Sequence, residues 1–193
     1  MPKSKSGAHK AQPLAIEMLM ADHRKVEDLF EQYEAEKESD DETKRGIARR
    51  ICGELTVHAQ VEEEIFYPWL RANLDEDDME MLEEAYVEHS GAKDLIAQIE
   101  AAKEIDATYD AKVKVLSEYI KHHVKEEENE IFPEVSSEKD ELDELGQEMS
   151  SRKEELMEEL GLADDDGEDE LDAGDKIADR GKSQSRESTQ RGR

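Results

Sequence analysis

Two stretches of the chain repeat one arrangement of side chains. His58 is followed by Glu62, Glu63 and Pro68; His123 is followed at the same offsets by Glu127, Glu128 and Pro133. On an α-helix four residues advance the face by about 40°, so His58 stands over Glu62 and His123 over Glu127. An imidazole and a carboxylate stacked on one face form a ligand pair suited to iron, zinc or manganese. A single H-x-x-x-E would mean little in a chain with 54 acidic residues. Two copies with matched flanks mark a repeated site.

The composition around these pairs is that of helices. Aromatics are 5% of the residues and Pro occurs four times, while Ala, Glu, Leu and Lys abound. The apolar periodicity predicts an all-α chain. A first helix spans about 13–38, with Leu19, His23, Val26, Phe30 and Tyr33 on one stripe. A second spans about 42–73, with Ile47, Ile51, Leu55, His58, Glu62 and Phe66, and Pro68 is expected to bend or break it. A third spans about 75–104 through Leu82, Ala85, His89, Ala92, Ile96 and Ile99. A fourth spans about 108–130 through Val113, Leu116, Ile120, His123 and Glu127, and Pro133 ends or kinks it. Leu142, Leu145, Met149, Leu156 and Leu160 mark a fifth, acidic helix over 136–160, expected to pack loosely.

The spacing places the histidines. In an antiparallel up-down bundle, residues at one height lie equally far from the turn that joins their helices. The midpoint of His23 and His58 falls between Asp40 and Asp41, that of His58 and His89 between Asn73 and Leu74, and that of His89 and His123 on Asp106. Each midpoint lies in a predicted turn, which puts the four imidazoles in one layer of a four-helix bundle. Asp22-His23 and Glu88-His89 are followed at equal offsets by Asp28-Leu29-Phe30 and Asp94-Leu95-Ile96, so the chain reads as a duplicated helical hairpin with a pseudo-twofold axis through that layer. A histidine on an apolar face is ordinarily a satisfied core residue. Two buried glutamates among four histidines, however, bring a charge conflict that a dication removes. Six protein ligands around one ion would close an octahedron. Two ions with two histidines each, bridged by both carboxylates, fit the pseudo-symmetry and leave open positions, which suit iron better than structural zinc. The same helical geometry turns Glu63 and Glu128 away from the layer toward solvent, leaves Glu126 a weaker candidate and puts His122 at the surface.

The bulk numbers exclude some functions. A net charge of −28 argues against nucleic acid and against anionic membranes as partners. No apolar run is long enough to span a bilayer, and no secretory signal is read at the N-terminus. A lone cysteine, Cys52, suits a reducing cytoplasm. Residues 1–12, including His9, read as a disordered basic arm, and 161–193 as a disordered tail whose acidic run invites a basic protein partner.

The pattern His23, His58-Glu62, His89, His123-Glu127, with Glu63 and Glu128 and a proline after each pair, resembles the hemerythrin-like HHE cation-binding family over residues 13–135. The resemblance implies two non-haem irons, oxo- or hydroxo-bridged. His23, His58, His89 and His123 would be terminal ligands, and Glu62 and Glu127 the bridges. It also implies O2 or a related small oxidant, peroxide or nitric oxide, as the ligand, in stress response or in iron and oxygen handling. Peroxide decomposition is the enzymatic form of that expectation; an iron- or redox-responsive regulatory module without catalysis is the alternative. Oxygen-carrying members have a second histidine where this chain has Lys93, and their last carboxylate is spaced differently. That departure argues against reversible O2 carriage and leaves one iron position to Tyr86 or to a water. Ferritin-type bundles order their pairs Glu before His, the reverse of this chain.

Overall fold

A computed structural model describes residues 12–76 and 78–162. The N-terminal arm, with His9, and the acidic tail lie outside the described residues but for Gln12, Gly161 and Leu162. Every regular element among the described residues is helical. In chain order they are α1 (Leu14–Ala35), α2 (Asp41–Val61), α3 (Tyr67–Asn73), α4 (Met79–Glu100), α5 (Ala107–Glu126), α6 (Phe132–Val135) and α7 (Lys139–Glu159). π-helical segments join α2 to α3 (Glu62–Phe66) and α5 to α6 (Glu127–Ile131). None of these helices is long and apolar enough to cross a membrane.

Short polar side chains set the helix starts. Asp40 accepts from the backbone N–H groups of Glu42 and Thr43 at 2.9 and 3.0 Å, and Asp106 accepts from those of Thr108 and Tyr109 at 3.0 and 2.8 Å. Each satisfies donors that the first helical turn leaves unpaired. The third long helix starts at Met79 rather than near residue 75, because Asp competes with helical hydrogen bonding and favours turns. The Asp78 N–H closes such a turn on the Asp75 carbonyl at 3.1 Å.

Neither Pro68 nor Pro133 breaks its helix. The Tyr67 N–H donates five residues back, to the Glu62 carbonyl, and the Phe132 N–H donates to that of Glu127. This wider turn ends where the proline begins. Each ring then occupies the first turn of a new α-helix, where no N–H is required. The strain of the proline is thus absorbed as a π-bulge immediately after the H-x-x-x-E pair, a placement typical of functional helices.

Two apolar clusters stand on opposite sides of the histidine layer. One gathers Ile16, Leu19, Phe66, Tyr67, Leu70, Leu82, Ile131 and Phe132; the other gathers Val26, Phe30, Ile51, Leu55, Ile96, Val113 and Leu116. Cys52 is buried in the second, where burial pushes its thiol up to about 12 and keeps it unreactive. Helix α1 packs on α2 and α5, α2 on α4, and α4 on α5.

Helix α7 is more firmly seated than its composition suggests. It lies on α1, α2 and the first π-helical segment, and Leu142, Met149 and Leu156 are fully buried in the first cluster. The expectation of loose packing erred by weighing the acids, which face water, above three well-spaced apolar anchors. Gly146 sets the approach: a Cβ there would lie 2.5 Å from the Ala15 backbone nitrogen. Gly146→Ala is therefore expected to destabilise the chain by about 1–3 kcal/mol in urea unfolding. Gly46→Ala, on the exposed face of α2 with nothing within 4 Å, should stabilise it by about 0.5–1 kcal/mol. Equal effects at the two sites would mean that α7 is not docked this way.

Candidate metal centre

The structure brings all six residues of the two repeated patterns together. His23 comes from α1, His58 from α2, His89 from α4 and His123 from α5, while Glu62 and Glu127 open the two π-helical segments. Both glutamates are wholly buried and the four histidines nearly so. The imidazoles pair across neighbouring helices: His23 and His58 have ring centroids 5.0 Å apart, His89 and His123 4.8 Å. Glu62 Oε2 lies between the pairs, 3.2 Å from His58 Nε2 and 3.3 Å from His89 Nε2. Glu127 Oε2 lies 3.1 Å from His23 Nε2 and 4.0 Å from His123 Nε2.

These contacts are close, yet few are hydrogen bonds. Both oxygens of Glu62, both of Glu127, and Nε2 of His23 and His58 are buried with no hydrogen-bond partner. Buried polar atoms are almost always bonded. Here they aim at common points instead of at one another. The histidines and glutamates form two groups able to hold a metal ion: His23, His58, Glu62 and Glu127, and Glu62, His89 and His123.

A ring of outer carboxylates fixes the imidazoles. Glu128 Oε1 faces His23 Nδ1 at 2.9 Å, Glu63 Oε1 faces His89 Nδ1 at 3.0 Å, and Glu88 Oε2 faces His123 Nδ1 at 2.9 Å. Asp22 Oδ2 stands 3.6 Å from His58 Nδ1, an ion-pair distance rather than a hydrogen bond. Around the ring, each of the four helical strands supplies a carboxylate to the histidine of the next. Because a carboxylate only accepts, Nδ1 of His23, His89 and His123 carries the proton and the Nε2 lone pair points inward. His89 Nε2 and His123 Nε2 then face each other at 3.3 Å. Two lone pairs at that distance repel unless a cation or a proton lies between them.

The expectation that Glu63 and Glu128 turn to solvent is corrected by these contacts. One residue beyond the inward-facing Glu is a rotation of about 100°, which in a bundle aims at the seam with the next helix rather than at open water. Each is then held from outside. Lys93 Nζ bonds Glu63 at 2.6 Å, and Arg24 bonds Glu128 at 2.6 Å. Lys93 is thus turned to Glu63 and supports His89 indirectly. Tyr86 is corrected too: it packs edge-on against Tyr67 at 5.0 Å, and it is the Tyr67 hydroxyl that reaches His89 Nε2, at 3.1 Å. The signal for the outer carboxylates was present in the matched Asp22-His23 and Glu88-His89 pairs and in the acid after each Glu62 and Glu127. Tyr67 carried no such signal, because its counterpart after His123 is Phe132. His122 is exposed as expected, 3.1 Å from Glu126.

Within the layer, burial and neighbouring charge pull the ionisable groups in opposite directions. Burial alone would lower the histidines, but Glu62 and Asp22 outweigh it at His58 and raise it well above its ordinary range. His23, beside Glu127 and Glu128, and His89, beside Glu62 and Glu63, are raised against the same burial. The two glutamates part ways. Burial raises both, yet His58 and His89 pull Glu62 well below its usual value. Glu127 stays raised by burial and by the charge of Glu62. Burial, with Glu62 and Glu127 nearby, keeps the Tyr67 phenol protonated.

The chain belongs to the family described as hemerythrin HHE cation binding domain, whose pattern matches residues 14–135. Over 126 residues it is 31% identical to a protein of Nostoc sp. (strain PCC 7120 / SAG 25.82 / UTEX 2576) described as a DNA nickase. The match covers 65% of this chain and 34% of that protein, so the chain spans about a third of that relative's length. No solved structure matches.

Removing an outer carboxylate should loosen an imidazole without removing a donor from the centre. Glu63→Ala and Glu128→Ala are each expected to weaken binding of cobalt(II) by about 10–100-fold in competition with a chromogenic chelator. Glu64→Ala, which loses the same charge but pairs outward with Arg152, should leave the affinity unchanged. Equal losses in all three would reduce the ring to a bulk charge effect.

Proposed function

We propose that the six converging residues hold a pair of non-haem irons inside an antiparallel up-and-down four-helix bundle spanning 13–135. The pair meets O2 or a related small oxidant, peroxide or nitric oxide, in oxidative-stress response or in iron and oxygen handling in a reducing cytoplasm. His23 and His58 would hold one metal position and His89 and His123 the other, with Glu62 and Glu127 as the carboxylates available between them. The observation that carries this reading is the set of unpartnered buried atoms on His23, His58, Glu62 and Glu127. In an apolar interior those atoms need a cation, and protons supply it only in part. Imidazole and carboxylate donors at open positions favour iron. Iron held there would supply one-electron chemistry toward O2 or peroxide.

The chain's own residues support a small neutral visitor. A chamber of about 20 Å³ abuts the four histidines and is lined by Val26, Leu55, Ala92, Ile96 and Ile120. It has room for one water-sized or diatomic molecule. Apolar side chains make up most of its walls, and the Tyr67 hydroxyl stands 3.1 Å from His89 Nε2. Nucleic acid stays outside the proposal, because a net charge of −28 opposes phosphate contact.

One contact favours a second reading, a regulatory module. Lys153 on α7 bonds Asp22, which faces His58, so the seating of α7 and the filling of the centre are linked.

Anaerobic reconstitution with ferrous iron, followed by air, tests the proposal. The expected result is about two irons per chain and the near-ultraviolet absorption of an oxygen-bridged ferric pair, both lost in Glu62→Ala. Leu55→Phe, which narrows the chamber, should slow oxidation by O2 or peroxide at unchanged iron content. No bound iron, or one tightly held zinc with a flat spectrum, would overturn it. Protection of α7 from proteolysis by iron alone, with no reaction toward oxidant, would favour the regulatory reading.

A further inference from the structure

The duplicated hairpin has two equivalent seams, and they have been built differently. Between α1 and α2, the positions beside the centre are Met18, Val57, Val61 and Ile65. Val57 and Val61 are buried, Met18 and Ile65 pack against the same apolar cluster, and α7 lies over them. The positions related to these by the repeat, between α4 and α5, are Glu84, His122, Glu126 and Glu130. Four apolar residues on one side thus correspond to three carboxylates and an imidazole on the other.

The second seam also contains a passage. A cavity of about 50 Å³ lies between α4 and α5, lined by the exposed Glu84 and Glu130, by Glu88 and Glu126, and by the buried His123 and Glu127. Glu127 is wholly buried, and neither of its oxygens has a hydrogen-bond partner. The cavity therefore runs from surface carboxylates to an unpartnered carboxylate of the centre. At its rim, Glu88, His122 and Glu126 place three donor atoms within 4.8 Å of one another. His122 Nε2 is 3.1 Å from Glu126 and 3.5 Å from Glu88.

We infer that the α4–α5 seam is the entry route for the divalent cation, with an outer holding site at Glu88, His122 and Glu126. The inference rests on the reading of the buried layer as a metal centre. A hydrated dication is drawn to the carboxylates, is held at the rim through one imidazole and two carboxylates, and passes to Glu127. Neutral oxidant reaches the centre through the apolar chamber on the other side of the histidines, so cation and oxidant do not compete for one path. Glu88 serves both ends, since its other oxygen bonds His123 Nδ1.

The test is the rate of anaerobic ferrous loading of the metal-free full-length chain, followed by stopped flow, with final iron content measured in parallel. The variant Glu84→Gln/Glu126→Gln/Glu130→Gln leaves every residue of the buried layer and its carboxylate ring in place. It is expected to load about tenfold or more slowly and to reach the same final content of iron held in the buried layer, because acidic lining raises the local cation concentration and the on-rate. Glu144→Gln/Glu148→Gln/Glu158→Gln removes the same charge from the exposed face of α7 and should load at the unaltered rate. His122→Ala should abolish one weak manganese(II) site seen by electron paramagnetic resonance beyond those filled in the buried layer. Unchanged loading in the seam variant, or equal slowing in the α7 variant, would overturn the entry route while leaving the centre intact. Failure of the unmutated chain to bind iron at all would overturn the centre and the route together.

Discussion

Two carboxylates buried between two apolar clusters are the constraint on which the rest of this structure turns. Glu62 and Glu127 are wholly buried, and no protein donor is aligned to receive their oxygens. Burial of that kind costs several kcal/mol per charge unless an opposite charge is present. His23, His58 and His89 answer it in part, since the carboxylates around them raise all three against their burial, while burial and the charge of Glu62 raise Glu127. With the proton on Nδ1, the Nε2 lone pairs of His89 and His123 face one another. The local arrangement is therefore the best the chain can do alone and is completed by positive charge from outside.

The outer ring follows from the same constraint. An imidazole that must present Nε2 inward has to be told which nitrogen carries the proton. A carboxylate on the adjacent helix does so at His23, His89 and His123. Two of those carboxylates, Glu128 and Glu63, are neutralised in turn by Arg24 and Lys93, which reach in from the surface. The order of influence runs from solvent to centre: surface cation, seam carboxylate, imidazole, core. A substitution at the surface can thereby reach the chemistry without changing a residue of the buried layer.

The layer was legible in the sequence because it depends on periodicity. The positions of His23, His58, His89 and His123 relative to three turns are arithmetic, and Asp40 and Asp106 mark two of those turns by their capping. What helical arithmetic misjudged was direction within the seams. It treated Glu63 and Glu128 as facing water, since a wheel drawn for one helix does not include its neighbours. It offered Tyr86 because Tyr86 shares a face with His89, whereas the π-bulge carries Tyr67 to His89 from another helix. Non-helical hydrogen bonding after Glu62 was not visible either, although Pro68 announced that something had to give. Helix α7 was underrated for a related reason. Composition averages over all of its faces, and only the face with Leu142, Gly146, Met149 and Leu156 decides its packing.

Duplication makes the remaining asymmetry informative. The two hairpins share one plan at the centre and differ in sequence at many positions around it. They agree at the histidines, the inner glutamates, the outer carboxylates and the prolines. They disagree at Tyr67 against Phe132, and along the seams, where Met18, Val57, Val61 and Ile65 correspond to Glu84, His122, Glu126 and Glu130. The apolar seam is the one that α7 covers, and burying those residues contributes hydrophobic stability. Carboxylates on a bundle seam contribute little to stability and repel one another, so stability does not account for their clustering at the only long hairpin seam that α7 leaves open among the described residues. A charged passage that ends on a buried carboxylate has a direct physical use, and the uncharged seam opposite, covered by a fifth helix, is the control that the chain itself provides.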